Sequence, residues 1–243
     1  MAANSAPRAV PSVPADDPGY VRRPVTVPSQ SAAALAGPVP RMEADPPFLD
    51  DLGLVEEHAW SLLERGAKDR RSPYHAPSIA TVSDDGPQVR TFTLRGVDRV
   101  RSILRFNADA RSGLVGQLEA DPRAAVHAYS AAEKTQLRLR TLATLHRGDP
   151  LAAVAWHATN PSAKRCYLVP PPGSLSGLPT SGLPTPLERR RPIEAESDLG
   201  FIHFCVVELK IEAIEWLHVH AIHKRRARFD LHDGCWQGTW LTP

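Results

Sequence analysis

Arginines recur at strand-like positions in four parts of this 243-residue chain. Arg90 and Arg95 stand in VRTFTLRG. Arg111-Ser112 stands where a helix would start. Gln136 and Arg138 lie in TQLRLR, and Arg226 and Arg228 in RRARF. A guanidinium in a half-buried strand needs an anionic partner, because burying a bare charge is costly. That partner is either a protein carboxylate or a ligand. A helix N-terminus offers free N–H groups and a favourable dipole for an anion, and a neighbouring arginine adds bidentate recognition of its oxygens. The inventory suits a phosphate-bearing ligand. Surface salt bridges are the alternative, since the chain has 27 acidic residues.

Other chemistry finds less support. His218, His220 and His223 are closely spaced, but His223 falls on the other strand face and no carboxylate or cysteine completes a set, so no metal site is expected. There is no Gly-rich phosphate loop, nucleophile elbow or CxxC pair, and no catalytic residue can be named. The basic run His223-Lys224-Arg225-Arg226 lacks an aromatic stacking platform, and the net charge is only +2, so no nucleic-acid partner is expected. Cys166, Cys205 and Cys235 are odd in number and widely spaced, which predicts reduced, buried thiols in the cytoplasm. No apolar run approaches the roughly 18 residues of a membrane helix. Arg22-Arg23 precedes too short an apolar stretch to act as a twin-arginine signal.

The elements that must position these residues read as follows. Residues 1–47 are rich in proline and alanine without apolar periodicity, and are expected to be a disordered extension before a domain spanning 48–243. Leu52, Val55, Ala59 and Leu62 or Leu63 recur at helical spacing, and Gly66 is expected to end that helix. Residues 77–83 and 88–95 flank Asp84-Asp85-Gly86 as a hairpin, and a third strand covers 101–106. Ser112 caps a short helix to Asp121. Ala124–Tyr129 and Thr135–Leu145 are strands, the latter with Leu137, Leu139, Ala143 and Leu145 on one face. Asp149-Pro150 and Asn160-Pro161 start two short helices. Residues 170–192 read as a long flexible loop without core residues. Strands return at 202–211, 214–218, 223–230 and 235–241. Eight or nine short sequential strands with few helices predict a mainly β, antiparallel barrel.

The order IATVSDDGPQVRTFTLRG, FNADARSG, QLEADPRAAVHAY, TQLRLR, IEWL, RRARF and a terminal W-x-x-x-W-L-T-P resembles the pyridoxamine 5′-phosphate oxidase-like family over roughly residues 48–243. The resemblance implies an antiparallel split β-barrel with a few peripheral helices. It implies a homodimer with flavin mononucleotide (FMN) at the subunit interface and a small-molecule substrate. Arg90, Thr91, Phe92, Thr93, Leu94 and Arg95 match the strand that grips the phosphate and the isoalloxazine edge. Asn107, Arg111 and Ser112 match further phosphate-side positions, and Gln136, Trp216 (or Leu217) and Arg228 match positions near the ring. Arg95, Lys224 and Arg226 match substrate-side positions. The chain departs from the pattern at Leu114, where the family has lysine, at Ala108, where it has threonine, and at Arg95, where it has lysine. The family's substrate-phosphate tyrosine, arginine and serine fall near Ala155, Thr159 or Asn160, and Ala163 or Lys164, and are not reproduced. The implied activity is oxidation of pyridoxamine or pyridoxine phosphate. A non-catalytic flavin-binding barrel, or a barrel that has lost FMN, is the alternative.

Overall fold

A computed structural model describes residues 46–220 and 223–243, which fall in the unit Asp45–Pro243. The extension expected at 1–47 lies outside the described residues up to position 45.

The first helix, α1 (Leu52–Lys68), starts where Asp51 accepts a hydrogen bond from the Leu54 N–H at 3.0 Å, a standard N-cap. It buries Val55, Ala59, Trp60, Leu62 and Leu63. Gly66 does not end it. The glycine lies inside the last turns because Tyr74 packs there: a Cβ at position 66 would stand 2.5 Å from the Tyr74 carbonyl oxygen. His75 Nδ1 closes the same corner by donating to the Gly66 carbonyl at 2.6 Å.

Next come β1 (Ser78–Ser83) and β2 (Gly86–Thr91), a hairpin closed by Asp84-Asp85 with Gly86 at φ 107°. The strand expected over 88–95 is broken. Phe92 and Thr93 cross from one part of the sheet to the other, and β3 (Leu94–Asp98) pairs with β4 (Ile103–Asp109). The crossing is held by backbone bonds from Phe92 N to Pro77 O and from Leu94 N to His75 O. The β3–β4 register then shifts between Leu94 and Gly96, which makes Arg95 the bulged residue. Helix α2 (Gly113–Ala120) is capped by Ser112 as expected.

Strands β5 (Arg123–Ser130) and β6 (Thr135–His146) follow their alternating apolar residues closely. Helices α3 (Pro150–Ala158) and α4 (Pro161–Lys164) are capped by Asp149 and Asn160 with proline in the first turn. The 170–192 segment carries a short helix, α5 (Thr185–Glu188). It is not free of core residues: Leu187 is buried and its carbonyl accepts from Arg165. After α6 (Glu194–Asp198) comes β7 (Phe204–Val219). Two strands were expected there, 202–211 and 214–218, and they are one strand with a register shift. Strands β8 (Lys224–His232) and β9 (Cys235–Leu241) join through Asp233 (φ 50°) and Gly234 (φ 80°), a type I′ hairpin.

All pairing is antiparallel. The order is β2-β1-β5-β6-β7-β4-β3, with β8 on β7 and β9 on β8. The sheet does not close, which makes it a split barrel. Its interior holds Ile79, Leu104, Phe106, Val126, Leu137, Leu139, Leu209, Ile214, Trp216 and Phe229, covered by α1. A second cluster of Ala152, Trp156, Tyr167, Phe204 and Val206 packs outside the barrel, under α3. Of the three free cysteines only Cys205 is buried, which corrects the expectation for Cys166 and Cys235. No helix among the described residues is long and apolar enough to cross a membrane.

Two outcomes follow from the α1 packing. Gly66→Ala would normally stabilise a helix by up to about 1 kcal/mol. Here it should destabilise by about 1–3 kcal/mol, because the clash is with backbone, and a denaturant melt reads the sign. His58 accepts the Trp216 indole N–H at 3.2 Å through Nδ1. Burial, the largest influence, holds its pKa below the usual histidine value. The unfolded chain therefore binds the proton more readily. This contribution is complete above about pH 6.5 and is lost as the pH falls below that value. His58→Asn should flatten the acid-side decline in melting temperature. An unchanged decline would remove His58 from the account.

Candidate functional site

A cleft of about 870 Å³ opens on the outer surface of the barrel, between β3, β4, the end of α1 and the α3–α4 junction. Alternation along β4 builds its floor. Leu104, Phe106 and Ala108 point into the core, so Arg105 and Asn107 point out. The β3 bulge brings Thr93 and Arg95 to the same cleft, with Lys68 and Arg70 at the end of α1 and Thr159, Asn160 and Ser162 at the α3–α4 junction. Asn107 Nδ2 donates to Thr159 Oγ1 at 3.3 Å, which ties β4 to that junction. The lining includes four cations and no carboxylate. At an effective dielectric of about 20, one charge pair at about 4 Å is worth roughly 4 kcal/mol. Arg105 already pairs with Glu208 and Asp98, so it is Lys68, Arg70 and Arg95 that make the lining favour an anion.

Arg90 lies on the other side of the 90–95 segment. Its Nη1 donates to Thr81 Oγ1 at 2.6 Å and its Nη2 to Gln117 Oε1 at 2.9 Å, and Gln117 also accepts from the Thr81 hydroxyl. These are neutral oxygens. Among the described residues no carboxylate pairs with Arg90, and burial alone lowers its pKa. Of the two partners the sequence allowed, a protein carboxylate is thus ruled out among the described residues. Arg111 differs. It is bidentate on Asp109 through Nε at 2.9 Å and Nη2 at 2.7 Å, and it also donates to the Val169 carbonyl. Asp109 raises its pKa. Ser112 caps α2 at 3.5 Å.

The remaining sequence-nominated residues sit elsewhere. Gln136 pairs across β6–β7 with Leu217, and Leu217 across β7–β8 with Arg226. One row along, Arg138 faces Glu215 and Glu215 faces Arg228. Arg226 Nη2 bonds Glu215 at 2.6 Å, and Arg228 bonds Asp230 at 2.7 and 2.8 Å. Lys224 and Arg226 line a separate hollow of about 320 Å³ with Asp50 and Trp240. Trp216 needs correcting as a ring contact. It is fully buried, at 0% exposure, with its indole on His58, whereas the half-buried Leu217 beside it faces outward. Leu114 and Ala108 are also core residues at 3% exposure, so neither can offer a contact to a ligand.

These rows and the cleft are far apart in one chain. Val206 lines the cleft, and Leu217 stands opposite Gln136. Eleven residues of β7 separate them, roughly 35 Å along the strand at about 3.3 Å per residue. Of the residues nominated from the sequence, Thr93, Leu94, Arg95 and Asn107 line the cleft, beside Arg105, Lys68 and Arg70, which were not nominated, and neither was the Thr81–Gln117 pair that holds Arg90. The alternation Leu104-Arg105-Phe106-Asn107 carried the signal for Arg105.

Residues 57–147 match the family model described as Pyridoxamine 5′-phosphate oxidase, FMN-binding domain. A structure from Nostoc punctiforme PCC 73102, of a pyridoxamine 5′-phosphate oxidase-related, FMN binding protein, is similar at 21% identity and TM-score 0.62, over 82% of this chain and 99% of that one. PhzG from Burkholderia lata 383, in complex with tetrahydrophenazine-1-carboxylic acid, is similar at 16% identity and TM-score 0.60, over 83% and 99%. No curated protein matches the chain. The resemblance is borne out over residues 57–147, and the similar structures bear out the split-barrel fold.

Proposed function

From a chain whose residues 57–147 match the family's FMN-binding domain and whose fold is its split barrel, we propose an FMN-dependent oxidoreductase that works as a homodimer on a small-molecule substrate. The observation that carries this reading is Arg90, a partly buried guanidinium held by two neutral oxygens and no carboxylate. A phosphate supplies the missing negative charge and accepts bidentate bonds.

The donor set fits the cofactor. Arg90, the 91–94 segment, Asn107 and Ser112 would hold it from one copy, and Gln136 and Arg228 from the other. FMN supplies the redox chemistry when bound, and the protein supplies position and electrostatics. The homodimer is part of the reading that the family resemblance implies: the Gln136 row stands roughly 35 Å from the cleft along β7, and a second copy would bring such a row to the cleft of the first. The row lies on an outer sheet face that also exposes Tyr129 and Leu142. Arg111, already bidentate on Asp109, contributes by fixing the start of α2. Arg95 belongs on the substrate side with the cleft, and Lys224 and Arg226, which line a separate hollow, would come to the substrate from the second copy. Pyridoxamine phosphate is the reference substrate of the family, but Ala155, Thr159 and Ala163 replace the side chains that hold its phosphate. The three free thiols fit a reducing compartment, the cytoplasm.

Purified protein should be yellow and should form pyridoxal phosphate with peroxide release if it shares the family substrate. Flavin without turnover would favour the non-catalytic reading. Colourless protein that takes up no added FMN would sink the proposal and favour a barrel that has lost it, as Leu114 and Ala108 in the core would then explain. Arg90→Ala should weaken FMN at least tenfold, about 1.4 kcal/mol. Titration with unchanged affinity would dismiss the Arg90 assignment.

A further inference from the structure

A second hollow, of about 420 Å³, lies between the 170–192 segment, α6 and the 201–203 turn before β7. Among the described residues it shares none with the cleft. It also lies wholly outside residues 57–147, the part that matches the family model. Its wall is largely apolar: Leu168, Val169, Pro184, Pro186, Leu187 and Leu199. That wall is pinned. Leu187 is 7% exposed and its carbonyl accepts from Arg165, and Gly200 backs Tyr167 so closely that a Cβ there would stand 2.9 Å from the Tyr167 Cβ. The arginine and the acid in the lining satisfy each other. Arg190 Nη1 and Nη2 donate to the two Glu196 oxygens at 2.7 and 2.6 Å, and Glu196 also accepts from the Ile193 N–H at 2.9 Å. Burial raises the pKa of the Tyr167 phenol, which therefore stays neutral. A preformed, mostly apolar hollow of this size suits a small compound, and a charged one would gain little from an ion pair already closed on itself.

Two hydrogen bonds join this hollow to the start of α2. The Val169 carbonyl accepts from Arg111 Nη2 at 3.0 Å, and the His203 carbonyl accepts from the Ala110 N–H at 2.8 Å. Both acceptors belong to the wall. The same turn carries the Asp109–Arg111 pair and the Ser112 cap. A compound seated in the hollow restricts Val169 and His203, and so holds the 109–112 turn more firmly. A ligand that meets an already stiffened turn loses less entropy in ordering it. We propose that the hollow is a second binding site, for one small uncharged apolar compound, and that its occupancy stiffens the start of α2 and thereby tightens FMN. The site and its link to α2 stand without the flavin reading; the effect on FMN rests on that reading.

The test uses the full-length protein and N-phenyl-1-naphthylamine, an uncharged apolar fluorophore. One molecule should bind per chain with a rise in emission. Leu199 is 73% exposed, so changing it leaves the core intact. Leu199→Glu should weaken the probe at least about tenfold, and Leu199→Met should bind it as the native chain does. Hydrogen exchange of the 109–116 amides should slow when the probe binds. Arg111→Lys keeps a cation for Asp109 but loses the planar fork that also reaches Val169, so it should bind the probe with less of that slowing. In protein that holds FMN, the probe should tighten FMN at least about fivefold, and FMN should tighten the probe by the same factor. Probe affinity indifferent to Leu199→Glu, exchange at 109–116 that the bound probe leaves unchanged, or an FMN affinity that the probe does not alter would overturn the proposal. Colourless protein that shows the first two effects would sink the flavin reading and leave the site and its link to α2 standing.

Discussion

The architecture depends on how β7 satisfies its two edges. A strand of sixteen residues must pair its N–H and C=O groups along both sides. On one side β6 does this from Val206 to His218. On the other, β4 covers Phe204–Lys210 and β8 covers Ala213–Val219. The handover falls at the register shift, where Ile211 N bonds the Ser102 carbonyl. One strand thus serves two sub-sheets. The same division places the cleft at the β4 end of β7 and the Gln136–Leu217–Arg226 row at the β8 end.

That separation turns a puzzle of the sequence into a consequence of the fold. Arg90 and Arg95 lie five residues apart, so strict alternation puts them on opposite faces of one strand. The chain is instead broken at Phe92-Thr93, and Arg95 sits in a bulge. Arg90 turns to Thr81 and Gln117, whereas Arg95 turns to the cleft. The two cations therefore face different sides of the crossing segment. The hydrogen bonds of the crossing segment to residues 75–77 fix how far apart the two cations stand.

What was legible in the sequence was whatever burial imposes locally. The alternation of β5 and β6 and the caps at Ser112, Asp149 and Asn160 all follow from contacts within a few residues. What was not legible depends on distant partners. Gly66 reads as a helix stop until Tyr74 is seen against it. The 88–95 run reads as one strand because its break is made by pairing with 75–77. Trp216 resembles a ring contact by motif, but α1 and His58 bury it. Arg105 carries no motif, and only its pairing with Glu208 across β4 and β7 shows that it is held.

The central claim is that one flavin is held by residues of two copies, and sedimentation followed at a flavin absorbance band tests it directly. The account predicts that bound flavin sediments only with a species of twice the chain mass, and that dilution to the single chain releases it. Flavin that stays on the single chain at full occupancy would contradict the account.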